Sequence, residues 1–419
     1  MKALISILFF YFLLAGTASA QRTFSGRILD AQTNEPLAFA SIGIKGKRYG
    51  TVSNGEGDFT FRIPEGLDAD TLMCSYIGYA SYQKLVGELP EGESDLTIAL
   101  ESVSLTLDEV IITPREPEDY IRSAVAKISE NYLDDTYQTT GYYGDYFKED
   151  EQYLRQVELI FNMNAPKYTA DTSQANKPQV KLLQGKIRKD LSEVQFWKEK
   201  RDKRVAKGKD EDTGVSISSV FDGPAEVIEL DPIRDLEPFL QEENFRKYRY
   251  EIETPVVYQG KTLMVISFKP RGKVDYTKLG GKIYLDIGTD AIVAVEYTGK
   301  MVIPAVVKPL LALLGIGISN PEVSKIARFR QLGDRWVIDN VLVNASVRLT
   351  DKNLFSSNEH FVYSAEQIFV ATDFKTSDVT PFAPSEIFDS EKDLEEQLPP
   401  YDASFWSRYN IVRPRKIAQ

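Results

Sequence analysis

Along the first quarter of the chain, short runs of alternating apolar and polar residues recur between clusters of Gly, Asn, Asp and Pro. Phe24 to Leu29, Ala40 to Ile44, Phe59 to Ile63, Thr71 to Tyr76 and Leu96 to Leu100 each put apolar groups on one side of an extended chain. Their spacing predicts an all-β sandwich over residues 22–113. Gly50 to Phe59 reads as a turn: Asn54, Gly55 and Gly57 accept positive φ, Ser53 and Asn54 can bond the turn backbone, and Phe59 opens the returning strand with a core anchor. The same acidic, Gly-rich residues lack the alternating carboxylates of a calcium loop.

Beyond this region the pattern changes. Pro114 and Pro117 mark a linker over 114–117. Ile121, Val125, Ile128 and Tyr132 then fall on one helical stripe, with Pro117, Glu118 and Asp119 suited to a first turn. One helix of about four turns is predicted. Strand-like runs follow at Tyr142 to Phe147, Tyr153 to Met163, Arg249 to Ile252, Lys261 to Phe268, Lys282 to Ile287, Ile292 to Tyr297, Trp336 to Leu349 and Phe361 to Val370. Their short connections, with Gly280-Gly281 read as a turn, predict an antiparallel sheet. Alternating residues such as Ile283, Leu285 and Ile287, or Val341, Val343, Ala345 and Val347, commit one face to apolar cover. The fold class is therefore mainly β, of α+β type: a sandwich, then a larger antiparallel-sheet domain over 118–398 with a packing helix and polar loops at 164–179 and 198–212.

Met301 to Ile318 interrupts the strands with an apolar stretch broken only by Lys308 and by small Gly and Pro residues. Pro304, Lys308 and Pro309 disfavour a spanning helix. Two readings stand beside that one: an insertion that completes the core, and a lid or membrane-touching loop over a hydrophobic cavity. In the second, Val306, Val307, Leu310, Leu311, Leu313, Leu314 and Ile316 contact the ligand. The C-terminal segment, 399–419, is aromatic and basic, and Trp406 and Tyr409 are expected to pin it to the sheet.

The length of 419 residues allows two or three domains, each with its own core. Targeting alters the picture at the front: Lys2, the apolar run Ala3 to Leu14 and the small-x-small motif Ala18-Ser19-Ala20 predict a signal peptide over 1–20, cleaved after Ala20. An exported protein is expected. A net charge of -12 disfavours a nucleic-acid partner. With one cysteine, Cys74, and one histidine, His360, neither an intrachain disulfide nor a two-His metal site can form. No Gly-rich phosphate loop is present, and no cofactor is expected. His360 lies in opposite phase to Phe361 and Tyr363, so it is expected to face solvent rather than serve a Ser-His-Asp triad.

Gly26-Arg27-Ile28-Leu29-Asp30, Glu35-Pro36-Leu37, Ala40-Ser41-Ile42, Gly50-Thr51, Gly57-Asp58-Phe59 and Ser75-Tyr76-Ile77-Gly78-Tyr79 resemble the carboxypeptidase-regulatory-like domain. That family is a seven-stranded, transthyretin-like sandwich, similar to the extension at the front of starch-utilisation-type TonB-dependent receptors, and Leu107 to Thr113 occupies the place of the element that follows it there. The residues that remain are too few for a receptor barrel, so the resemblance implies an accessory role, and the single histidine rules out a metallocarboxypeptidase centre. Further on, Gly260 to Pro270, Gly281 to Asp286 and Ala291 to Val293 resemble the open half-barrel of periplasmic lipoprotein carriers, in which a curved sheet and covering helices enclose an acyl-chain cavity. Together these imply a non-catalytic envelope protein of the periplasm or outer membrane of a Gram-negative bacterium, binding a lipid or other hydrophobic ligand or an outer-membrane protein. The rival readings are a structural adaptor associated with a TonB-dependent uptake system and a hydrolase.

Overall fold

Two short sheets make the N-terminal sandwich. In one, β1 (Arg22–Asp30) lies between antiparallel β4 (Asp58–Ile63) and parallel β7 (Asp95–Leu100). In the other, β2 (Ser41–Ile44) joins β3 (Gly50–Val52) to β5 (Thr71–Ser75), and β6 (Tyr82–Leu85) completes the edge. The computed structural model describes residues 22–90, 95–103, 105, 115–170, 177–189, 223–224, 230–272, 277–302, 316–351 and 359–412. The apolar positions that alternate in the sequence meet in one core: Phe24, Ile28, Ile42, Phe59, Phe61 and Leu72, with Cys74, whose thiol burial pushes up to about 12. The turn is narrower than its sequence suggests, because Gly50–Val52 is already strand. Asn54 Oδ1 accepts the N–H groups of Glu56 (3.0 Å) and Asp58 (2.9 Å), while Gly57, at φ +76°, passes so close to Ile28 that a Cβ would meet its carbonyl oxygen at 2.5 Å. Asp58 is engaged by Arg27 at 2.6 Å, so the oxygens that might have formed a calcium loop already serve the turn and an ion pair.

The second sheet has ten strands, all antiparallel: β8 (Tyr137–Glu149), β9 (Gln152–Ala165), β10 (Gln179–Lys189), β11 (Tyr248–Tyr258), β12 (Lys261–Pro270), β13 (Thr277–Asp286), β14 (Ile292–Met301), β15 (Ile316–Leu332), β16 (Arg335–Asp351) and β17 (Glu359–Lys375). The chain enters at β8, third from one edge, and runs outward to β10 at that edge. It reappears at the opposite edge with β11 and returns strand by strand until β17 pairs with β8. Gly280-Gly281 is mid-strand rather than a turn: a Cβ on Gly281 would meet Glu296 O at 2.0 Å, so glycine is needed where β13 and β14 approach. Both ends of the polar stretch 164–179 belong to β9 and β10, and the 198–212 stretch lies outside the described residues.

The predicted single helix is two. α1 (Pro117–Ala126) buries Tyr120, Ile121 and Ala124, and after a break at Lys127 (φ −96°, ψ 15°) comes α2 (Ile128–Asn131). The break has a polar cause. Lys127 Nζ and Ser123 Oγ both donate to Asp290 Oδ2, at 2.8 and 2.7 Å, and Asn131 donates to Thr289 O. Tyr132, expected on the helical stripe, instead leaves the helix extended and donates to Ile292 O at 2.7 Å from a buried position.

Successive strand residues point to opposite faces. The inner face of the large sheet carries the main core, where Leu159, Phe161, Phe329, Val341 and Phe369 pack with Tyr120 and Ile121 of α1 and with Phe239, Leu240 and Phe245. The outer face carries Tyr142, Ile160, Leu342, Ile368 and Val370, and on these sit Phe39 and Val52 of the sandwich and Trp406 and Val412 of the tail, whose helix α3 spans Ala403–Trp406. Polar ties complete this seam. Arg328 donates to Phe39 O at 2.9 Å, Ser41 Oγ and Tyr258 OH bond at 3.0 Å, Gly78 N donates to Val257 O, and Arg330 pairs with buried Asp339 while donating to Arg48 O. Phe39 holds φ +58°, a conformation that costs a bulky residue about 1–2 kcal/mol and persists only where its surroundings impose it.

Candidate ligand-binding site

The inner face is not apolar throughout. One transverse row, in register across the strands, reads Tyr297 on β14, Lys325 on β15, Val343 on β16, Gln367 on β17 and Asp145 on β8. Lys325, 6% exposed, donates to Glu237 Oε1 at 2.8 Å, and Tyr297 OH donates to the same oxygen at 2.8 Å. Gln367 donates to Tyr143 OH at 3.0 Å. Asp145 is buried, 3.1 Å from Arg155, and burial outweighs the guanidinium, pushing its carboxyl up to about 6. Its second oxygen has no hydrogen-bond partner among the described residues. Burial, seconded by Glu237, holds the Tyr297 phenol well above its usual range.

Beyond this polar belt the strands continue, and their inner-face residues are apolar again. Phe147 and Leu154, Ile316 and Ile318, Val347 and Leu349, and Phe361 and Tyr363 form a separate cluster at the far ends of β8, β9, β15, β16 and β17. Phe147 and Tyr363 stack at 5.9 Å between centroids, and Tyr363 OH donates to Glu149 at 2.5 Å. Only Leu154, Ile316 and Tyr363 of the cluster are buried, while the other five keep part of their surface. A sheet of this length has more inner face than the helices and the 230–247 segment cover, and the belt divides the covered part from the rest. The arrangement is an apolar floor bordered by a buried, paired polar row in which one carboxyl is pushed up to about 6.

Of the residues expected to contact a ligand, Ile316 is placed here, 6% exposed and the first residue of β15. Val306, Val307, Leu310, Leu311, Leu313 and Leu314 lie outside the described residues, as do Ala18 and Ala20 at the expected cleavage site. The stretch read as one insertion is strand at both ends, since β14 runs through Met301 and β15 starts at Ile316. Leu349, Phe361, Phe147 and the belt are not among the residues the sequence singles out. Their signal was in the pattern, because Lys325, Gln367 and Asp145 occupy core-phase positions where apolar residues are the rule. His360 is exposed on the outer face, with Nδ1 2.9 Å from Thr350 Oγ1. Among the described residues no three His, Cys, Asp or Glu side chains are placed to hold a metal, and no helix is long and apolar enough to cross a membrane.

Residues 24–112 match the family model of the CarboxypepD_reg-like domain, the family whose motifs the sequence carries. No curated protein matches the chain. Among solved structures, an outer membrane lipoprotein-sorting protein domain from Vibrio parahaemolyticus is similar at 11% identity, covering 63% of this chain and 94% of its own, with a TM-score of 0.26. A LolA superfamily protein from Nitrosomonas europaea is similar at 10% identity, 64% and 96% coverage and a TM-score of 0.22. For a DUF1329 family protein from Desulfovibrio piger the values are 9%, 64%, 96% and 0.26. At these TM-scores none of the three likenesses bears on function.

Proposed function

We propose that the protein is a non-catalytic component of the bacterial envelope, exported to the periplasm or outer membrane. Its large sheet binds a lipid or other amphiphile on the inner face, and its sandwich serves as the module that engages an outer-membrane partner. The observation that carries the reading is the half-buried apolar cluster around Leu349, Phe361 and Tyr363, set beyond the belt of Lys325, Gln367 and Asp145. The row is paired within the fold, Lys325 and Tyr297 to Glu237 and Gln367 to Tyr143, so it marks the border of the main core, and it is the surface that Leu349 and Phe361 keep beyond it that a ligand would cover. The Met301 to Ile318 segment, apolar in sequence and joined to β15 at this cluster, supports the same reading.

The test is native mass spectrometry with solvent extraction of the chain from Gln21 to Gln419, purified from a bacterial periplasm. A co-purifying lipid is expected, and it is lost when Leu349 and Phe361 are replaced by Glu and Ser with circular dichroism unchanged. A clean apo mass with no uptake from mixed phospholipid vesicles would overturn ligand binding in favour of an adaptor. Turnover of an ester or peptide that disappears in His360→Ala would overturn the non-catalytic assignment.

A further inference from the structure

The outer face of the large sheet carries a second feature, independent of the amphiphile site. Where the sandwich and tail end, the next two rows across the strands turn polar. One row runs Thr298, Ser324, Asn344, Glu366 and Tyr146, and the other runs Glu322, Ser346, Ser364, Lys148 and Tyr153. At the centre Ser324, Asn344, Ser346 and Ser364 are short and only Glu366 is long, while Tyr146, Lys148 and Tyr153 stand tall at one end and Glu322 at the other. The face is therefore dished, enclosing a cleft of about 240 Å³ that reaches across six strands, roughly 20 Å.

We propose that this cleft binds a neutral oligosaccharide. Its middle offers hydroxyls and an amide, on Ser324, Asn344, Ser346 and Ser364, and each can both donate and accept. A ligand whose own groups do both, as sugar hydroxyls do, can satisfy them all, and an anion or a cation cannot. The charges largely cancel: Lys148 and Lys300 offset Glu322 and the central Glu366, and Lys300 lies 4.0 Å from Glu322. At one end Tyr146 and Tyr153 meet edge to face at 6.3 Å, and Lys148 lies 4.3 Å over the Tyr153 ring. Tyr146 is fixed in turn by its bond to Tyr142 OH at 2.7 Å, so the aromatic wall is set before any ligand arrives, and a rigid apolar wall beside a hydroxyl-lined floor matches the two-sided surface of a sugar ring. The cleft's length, transverse to the strands, suits a linear chain of sugars.

The test is saturation-transfer NMR on the chain from Gln21 to Gln419, with maltoheptaose, cellopentaose, mannopentaose and chitopentaose as probes and a neutral extended peptide as comparison. Transfer to at least one sugar is expected. It should be abolished by Ser346→Trp, which fills the floor, and weakened about tenfold by Asn344→Ala, which removes two hydrogen bonds. If Ser346→Trp fails to fold, Asn344→Ala and Tyr153→Ala decide. Silence from all four sugars, transfer to the peptide alone, or transfer that survives these variants overturns the proposal. A lipid bound to the inner face is untouched by Ser346→Trp, so the two sites fail or stand separately.

Discussion

At the scale of single residues, Asp145 is where the inner belt departs most from what burial tolerates. Its carboxyl titrates near 6 in the fold and near 3.8 when the chain is open. The folded state therefore holds the proton more tightly, and stability falls as pH rises through that window, by on the order of 3 kcal/mol. Asp145→Asn keeps an acceptor for Arg155 and removes the titration. Its melting temperature is expected to exceed that of the parent at pH 7.5 and to match it below about pH 4, and an equal difference at both pH values would show that the carboxyl is not the cause. Residue identity made parts of this legible. Cys74 sits buried among sandwich side chains as its apolar neighbours imply, and His360 faces outward as its phase implies. The partners of Asp145, Lys325 and Phe39 were not legible, because side chains separated by up to 289 positions meet only through the tertiary fold.

At the scale of elements, most strands appear in the sequence as alternation, and those that do not have identifiable reasons. In β10 a bulge between Leu182 and Gln184 shifts the register, so Leu182 and Ile187, an odd number of positions apart, serve the same face and the period is lost. In β15 the irregularity between Ser319 and Glu322 spans Pro321 and does the same. β3 and β6 are too short, at three and four residues, to show a period. The tail is the element whose removal is most informative. Trp406 is buried in the seam under Lys186, whose ammonium lies 4.0 Å from the ring, and Asn410 Oδ1 accepts the Arg62 amide at 2.7 Å. Trp406→Ala is expected to cost about 3 kcal/mol and to release the tail. Hydrogen exchange should then accelerate at the Arg62 amide while the amides of β1 paired to β7 stay protected, and an unchanged Arg62 rate would mean that Asn410 holds the tail without Trp406.

At the scale of the molecule, the sandwich and the large sheet share the outer-face cluster, so Phe39, Val52, Leu342 and Trp406 belong to one packing unit drawn from three parts of the chain. Arg328→Ala leaves the Phe39 carbonyl and its left-handed backbone without their buried partner. It is expected to split chemical denaturation, monitored by fluorescence and circular dichroism, into two transitions where the parent shows one. A single transition in both would place the coupling elsewhere in the seam. The entry of the chain at β8, inside the large sheet, has a consequence in time. As the polypeptide is made, residues up to Leu100 already contain a whole sandwich, but β8 keeps an open edge until β17 is complete at Lys375, more than half the chain later. Until then a hairpin of long, aromatic-rich strands is exposed to whatever else can pair with it. Two blocks, β8–β10 and β11–β16, can therefore pair within themselves first, and the sheet becomes one only when β17 docks between them.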